Sequence, residues 1–175
     1  MSAPDRARVF FALWPDDAVR SALAEAASRA HAECGGKVTA AAKIHLTLFF
    51  VGDVPRSRLA ALSECANSVA AAPFELEPAE LGYWRHNRIV WAAMRETPAM
   101  LRTLVTDLSA ALVHEGCRAD DRPYVPHVTL IRNARRPPQS IALHSPPWRA
   151  DAFVLAESAG GRYDVLERWP LARPV

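Results

Sequence analysis

"HLTLFF" (residues 45–50) and "HVTLIR" (residues 127–132) carry the same short form, His-x-Thr-Leu, in the two halves of one chain. Side chains alternate along a β-strand, so a histidine and a threonine two positions apart point to one face. Leu46 and Leu48 in the first copy, and Val128 and Leu130 in the second, then point to the other. Each copy reads as a strand that buries two aliphatic side chains and presents one imidazole beside one hydroxyl. Pro126 precedes the second copy. Proline has no N–H to donate, which suits an exposed strand entry beside a ligand.

The apolar pattern around these stretches predicts strands over 8–14, 44–52, 74–84, 88–94, 126–132, 148–158 and 162–171. It predicts helices over 15–34, 55–72 and 98–116. Pro15 with Asp16 and Asp17 suits a helix start, Gly35-Gly36 a helix stop, and Gly52 a strand end. Residues 133–147, NARRPPQSIALHSPP, form a Pro-rich, basic connection with no packed period. The order β-α-β-α-β-β-α-β-β-β lacks regular βαβ alternation. It predicts an α+β fold with largely antiparallel sheets and outer helices. No stretch is long enough to link two independent units, so residues 1–175 read as a single domain with a weak internal duplication.

Composition narrows the class. The chain has 175 residues, 50% apolar and 23% charged, ordinary values for a globular protein with a real core. A net charge of +2 and a pI near 8.6 are too mild to demand a polyanion. The basic charge is mostly arginine, whose planar fork suits phosphate, although arginine over lysine together with heavy alanine use is foremost the mark of a GC-rich genome. Cys34, Cys65 and Cys117 are far apart and form no C-x-x-C pair. Free thiols in a reducing, cytoplasmic setting are expected, with no zinc or redox motif. No apolar run approaches membrane-spanning length. The stretch MSAPDRARVFFALW shows no long apolar signal segment.

The doubling of the motif has a chemical reason. In-line displacement at phosphorus needs a base on the attacking oxygen and an acid on the leaving oxygen. Histidine titrates near pH ~6.5, so two of them can stand in opposite protonation states. Threonine hydroxyls can donate to the phosphoryl oxygens as charge develops. No dense Asp/Glu/His cluster of the kind a two-metal site requires is present in the sequence. The remaining histidines carry weaker signals. His31 and His114 fall on helices and His144 in the Pro-rich loop, and all three read as surface residues. His86, in the "RHNR" turn, is a candidate for a site rim.

"HLTLFFVGDV" and "RPYVPHVTLIR" resemble the twin signatures of the 2H phosphoesterase family. "RVFFALWPDDAVRSAL", "GYWRHNRIVWAAM" and "FVLAES…RYDVLERWPL" are similar to its bacterial RNA 2′,3′-cyclic phosphodiesterase branch, the 2′-5′ RNA ligase-like proteins. The resemblance covers nearly the whole chain. It implies two pseudo-symmetric lobes of antiparallel sheet with outer helices around a V-shaped cleft. It implies His45 as proton donor to the leaving ribose oxygen and His127 as the proton acceptor that activates water. Thr47 and Thr129 would hold the phosphoryl oxygens. The implied activity is hydrolysis of a terminal 2′,3′-cyclic phosphate on RNA or an oligonucleotide to a 2′-phosphomonoester. Reversible 2′-5′ ligation is the implied side activity. A monomer with no cofactor and no membrane partner is expected.

Substrate-binding candidates follow. Arg132 matches the branch arginine after the second motif. Simple alternation would turn it away from His127 and Thr129, so a break or bulge is expected before it. Phe11 is a candidate to stack on a nucleobase, with core packing as the alternative. Tyr124 is a rim candidate. Lys43 precedes the first motif and ranks below Arg132, and Trp84 and Trp91 read as packing residues at the cleft floor. Two other activities share the same phosphoryl centre: cleavage of 2′-5′ oligonucleotides and of small cyclic nucleotide phosphates. A non-catalytic RNA-end binding module is the third alternative, and the intact histidines and threonines argue against it.

Overall fold

The computed structural model describes residues 5–139 and 143–172, so the middle of the Pro-rich connection lies outside the described residues. The described elements run β1 (Arg6–Leu13), α1 (Asp17–Cys34), β2 (Lys37–Val38), β3 (Leu46–Pro55), α2 (Leu59–Asn67), β4 (Phe74–Leu76), β5 (Pro78–Trp84), β6 (Ile89–Met94), α3 (Ala99–His114), β7 (His127–Arg132), β8 (Trp148–Ala150), β9 (Ala152–Ala159) and β10 (Arg162–Pro170). The main sheet has the order β10-β9-β1-β3-β7-β6-β5, with β2 added on β7, and its ladders are antiparallel. The fold is α+β, as the element order predicts.

One seam gives this sheet its shape. β3 and β7 pair through Leu46 and Val128 alone among the described residues. A sheet joined at one residue pair splays on either side of it. The result is two lobes of antiparallel strands, β10-β9-β1-β3 and β7-β6-β5, around a V-shaped cleft. The helices cross over between them. α1 follows the first strand of one lobe and packs on β2 and β7 of the other, whereas α2 and α3 pack together against β10 and β3.

Local chemistry explains the helices. The Asp16 side chain accepts a hydrogen bond from the Val19 N–H at 2.9 Å and caps α1, and Gly35, at φ 63°, ends it. Val19, Leu23, Ala26, Ala27 and Ala30 form its buried stripe, as Leu101, Leu104, Leu108 and Leu112 do on α3. These stripes and the inner faces of the strands share one continuous buried cluster.

Four predicted elements are redrawn. Gly52 does not end its strand. β3 runs on to Pro55 through a bulge at Val51, where Val9 pairs with Gly52 and Phe10 with Phe50, and Gly52 takes φ 88°. The helix predicted over 55–72 is α2 at Leu59–Asn67, preceded by a 3-10 turn at Arg56–Arg58. The strands predicted over 74–84 and 148–158 each break in two, at Glu77 and Asp151. β4 and β8 pair with each other in a small separate sheet, and β5 and β9 enter the main one. Both halves of each run are apolar, so the change of partner leaves no local mark.

Candidate active site

The seam assembles the site. In an antiparallel pair the register runs in opposite directions on the two strands. With Leu46 opposite Val128, one step either way sets His45 opposite Thr129 and Thr47 opposite His127. Residues opposite one another share a face. Leu46 and Val128 are fully buried, so the four motif side chains stand on the other face, at the mouth of the cleft. A local two-fold passes through the Leu46–Val128 pair and exchanges the motifs.

The two-fold extends to the backbone. On β3, Thr47 pairs with Ala12 and Phe49 with Phe11, leaving Leu48 as an extra residue. On β7, Thr129 pairs with Trp91 and Ile131 with Val90, leaving Leu130 as an extra residue. Each motif strand thus carries a one-residue bulge directly after its threonine. Leu48 and Phe49 are both buried, and so are Leu130 and Ile131; Phe50 and Arg132 return to the exposed face. This is the break in alternation expected before Arg132. The guanidinium stands close enough for its charge to act on both His45 and His127.

Matching hydrogen bonds fix both rings. His45 Nδ1 lies 2.7 Å from the Lys43 carbonyl, and His127 Nδ1 lies 2.7 Å from the Val125 carbonyl. A carbonyl only accepts, so each Nδ1 carries the proton. Nε2 is then the basic nitrogen of each neutral ring. The Thr47 Oγ1 lies 3.0 Å from His45 Nε2 and donates to it.

Each ring is also walled by aromatics of its own lobe. Trp14 stacks on His45 at 5.3 Å between ring centres, with Phe10 at 4.9 Å and Tyr163 at 5.3 Å around it. Trp84 meets His127 edge-on at 4.6 Å, backed by Trp91, on which it stacks at 4.8 Å. Trp91 can lie there because its cross-strand partner is Gly82, where a Cβ would collide with the indole. These walls take each imidazole partly out of water, and both rings stay half-buried. Burial, with the positive charges of Arg132 and His127 added, pushes His45 down to about 4 against the pull of the Lys43 carbonyl. Burial and Arg132 lower His127 as well, against the Val125 carbonyl.

The model of the 2′-5′ RNA ligase superfamily matches residues 15–162. The chain belongs to that superfamily. An RNA 2′,3′-cyclic phosphodiesterase of Escherichia coli (strain K12) is 32% identical to it over 99% of this chain and 100% of that protein. One of the same name from Thermus thermophilus is 31% identical over 94% of this chain and 90% of its own. The crystal structure of Escherichia coli LigT complexed with 3′-AMP superposes with a TM-score of 0.89 at 30% identity, covering 96% of this chain and 99% of that one.

Within this 2′-5′ RNA ligase fold the other expected site residues separate. Phe11 is not a stacking surface: it is fully buried, with Phe153 and Trp169 rings at 6.4 and 5.9 Å. Phe10 faces the cleft instead. Arg6 and Arg8 are exposed on the same strand, and alternation from them already puts even-numbered residues outside. Tyr124 sits at the rim, and its hydroxyl donates to the Thr47 carbonyl at 2.9 Å, tying the approach to β7 onto β3. Burial pushes its phenol well up. Lys43 holds His45 through its carbonyl and lays its ammonium 5.3 Å from the Tyr163 ring. Trp84 and Trp91 are walls of the His127 site and not merely floor packing. His86 is exposed, 6.4 Å from Trp84. Trp14 and Tyr163 carry no motif signal, since 148 residues of chain lie between two rings that meet on one histidine. Among the described residues no group of three or more His, Cys, Asp or Glu is placed to hold a metal ion.

Proposed function

We propose that this protein hydrolyses terminal 2′,3′-cyclic phosphates on RNA or oligonucleotides to 2′-phosphomonoesters. The observation that carries the reading is the seam: two imidazoles and two threonine hydroxyls on one open face, related by a local two-fold, with one arginine charge reaching both rings. That arrangement suits a phosphoryl group with an oxygen entering on one side and one leaving on the other. Membership of the superfamily, and relatives named RNA 2′,3′-cyclic phosphodiesterase, support it.

In the proposed reaction a water attacks phosphorus and gives a proton to His127 Nε2. The bond from phosphorus to the ribose 3′-oxygen breaks, and that oxygen takes a proton from His45 Nε2. Thr47, Thr129 and Arg132 hold the non-bridging oxygens. Since His45 is neutral in the free protein at neutral pH, it takes up a proton from solvent as the substrate binds, because the negative charge of the phosphodiester favours the imidazolium. A ribose 5′-hydroxyl in place of water, attacking in the same direction with the 3′-oxygen leaving, gives the 2′-5′-joining reaction, which is itself reversible. No metal enters these steps. Cys34 is buried, Cys65 and Cys117 are half-buried, and burial raises all three thiols. Inert thiols of this kind suit a monomer working in a reducing cytoplasm.

Product analysis after incubation with a 2′,3′-cyclic-phosphate oligonucleotide tests the proposal. A 2′-phosphate end, formed equally well with EDTA present, is expected. A 3′-phosphate product reverses the leaving group. No turnover by the wild type, with RNA-end binding intact in His45→Ala and His127→Ala, leaves a binding module in its place.

A further inference from the structure

The local two-fold breaks three residues beyond each threonine. Arg132 stands three residues beyond Thr129, and Phe50 stands three residues beyond Thr47. The bulges at Leu48 and Leu130 turn both onto the face of the motif side chains. One lobe thus offers a cation there and the other a bare phenyl ring. Phe50 is 51% exposed and belongs to neither buried cluster. Its cross-strand partner is Phe10, whose ring lies 4.9 Å from the His45 ring. Opposite side chains on one sheet face lie about 5 Å apart, so Phe50 is one strand spacing beyond the wall of the His45 site. The Arg8 guanidinium lies 4.9 Å from the centre of the Phe50 ring and pairs with Asp53 at 3.3 Å.

We infer that Phe50 is the stacking platform for the nucleobase immediately 5′ of the nucleotide carrying the cyclic phosphate. The inference rests on the proposed function and deepens it: the substrate it names is an oligonucleotide end rather than a mononucleotide. Three observations converge. The ring continues the cleft face from the histidine that serves the ribose oxygen. An exposed aromatic with a guanidinium against it is the pairing by which proteins hold single-stranded bases without reading sequence. Asp53 offsets the Arg8 charge, so stacking carries this contact and phosphate attraction does not.

The test compares kcat/KM for a nucleoside 2′,3′-cyclic phosphate with that for a dinucleotide bearing the same end, in the wild type, Phe50→Ala and Phe50→Trp. The exposed position keeps the fold intact, which circular dichroism checks. The wild type is expected to prefer the dinucleotide. Phe50→Ala should cut that preference roughly 5- to 100-fold, the range of one base–aromatic stack. Phe50→Trp should restore it, and the preference should change little with salt. Equal losses on both substrates, or an unchanged preference in Phe50→Ala, overturn the inference while wild-type turnover of the mononucleotide leaves the proposed function standing. A wild type that hydrolyses neither substrate overturns both.

Discussion

Leu46 and Val128 form the pair through which β3 meets β7, and both are fully buried. Their register is what places His45 across from Thr129 and His127 across from Thr47. A slip of either strand by one residue would send its own histidine and threonine into the core. The site is thus held by apolar packing on one face of the seam while its chemistry faces the other.

The division of labour between the histidines can be read from leaving-group dependence. His45→Ala and His127→Ala should each lower kcat on a cyclic-phosphate oligonucleotide roughly 100- to 10,000-fold, the usual weight of a positioned acid or base. An aryl phosphodiester, whose leaving group needs no proton, should recover much of the His45→Ala loss and little of the His127→Ala loss. Recovery in His127→Ala instead would exchange the two roles.

The pH profile should be displaced towards acid. The pH dependence of kcat/KM reports the free protein, where His45 sits at about 4. Its alkaline limb should therefore lie below ~6.5, the ordinary histidine value. The limb of kcat should lie higher, because the bound phosphodiester anion favours the imidazolium. Arg132 disfavours protonation of both rings. Arg132→Gln should shift the kcat/KM limb to higher pH even as the rate falls, whereas Arg132→Lys should keep it in place. An unmoved limb in Arg132→Gln contradicts the electrostatic role given to this residue.

Stability should fall with acid through the same rings. His45 titrates lower in the folded chain, at about 4, than in the unfolded one, at ~6.5. As pH drops the unfolded state takes up its proton first, so stability is complete above the unfolded value and declines towards the folded one. His127 is lowered and adds in the same direction. After discounting for partial exposure, His45 alone should account for on the order of 2 kcal/mol, at about 1.4 kcal/mol per pKa unit. Urea midpoints for the wild type and His45→Ala across this range measure it: the variant's slope should be shallower, and equal slopes would refute the assignment.

Gly82 tests the aromatic wall. A methyl there would overlap the Trp91 indole, so Gly82→Ala must push Trp91 off its stack with Trp84. Overpacking of this kind costs about 1–3 kcal/mol. A changed near-ultraviolet circular dichroism spectrum and a lower kcat should accompany the loss. An unaltered aromatic spectrum would mean that the stack does not depend on this glycine.

Much of this was legible in the residues, and the failures are instructive. Period-two alternation put His45 with Thr47 and His127 with Thr129, and helical periodicity found the stripes of α1 and α3. Arg132 was an open question, because alternation alone turns it away, and a bulge is set by the pairing with β6. Phe11 was weighed for stacking although the exposed Arg6 and Arg8 mark the other parity as outward. The breaks at Glu77 and Asp151 left no trace, since β4 and β8 stay as apolar as the strands they detach from. Trp14 and Tyr163 leave no local mark, because nothing in either stretch of sequence refers to His45.

The sequence by itself determined the two motif strands, the face each offers and the chemistry those faces suit, because side-chain alternation and residue type are local properties. The tertiary structure alone decided that the strands meet at Leu46 and Val128, that matching bulges turn Phe50 and Arg132 onto the cleft face, and that burial and an arginine disfavour the protonated form of both imidazoles. Those outcomes depend on partners supplied by strands far away in the chain, and pairing, burial and electrostatic field exist only once those strands are side by side.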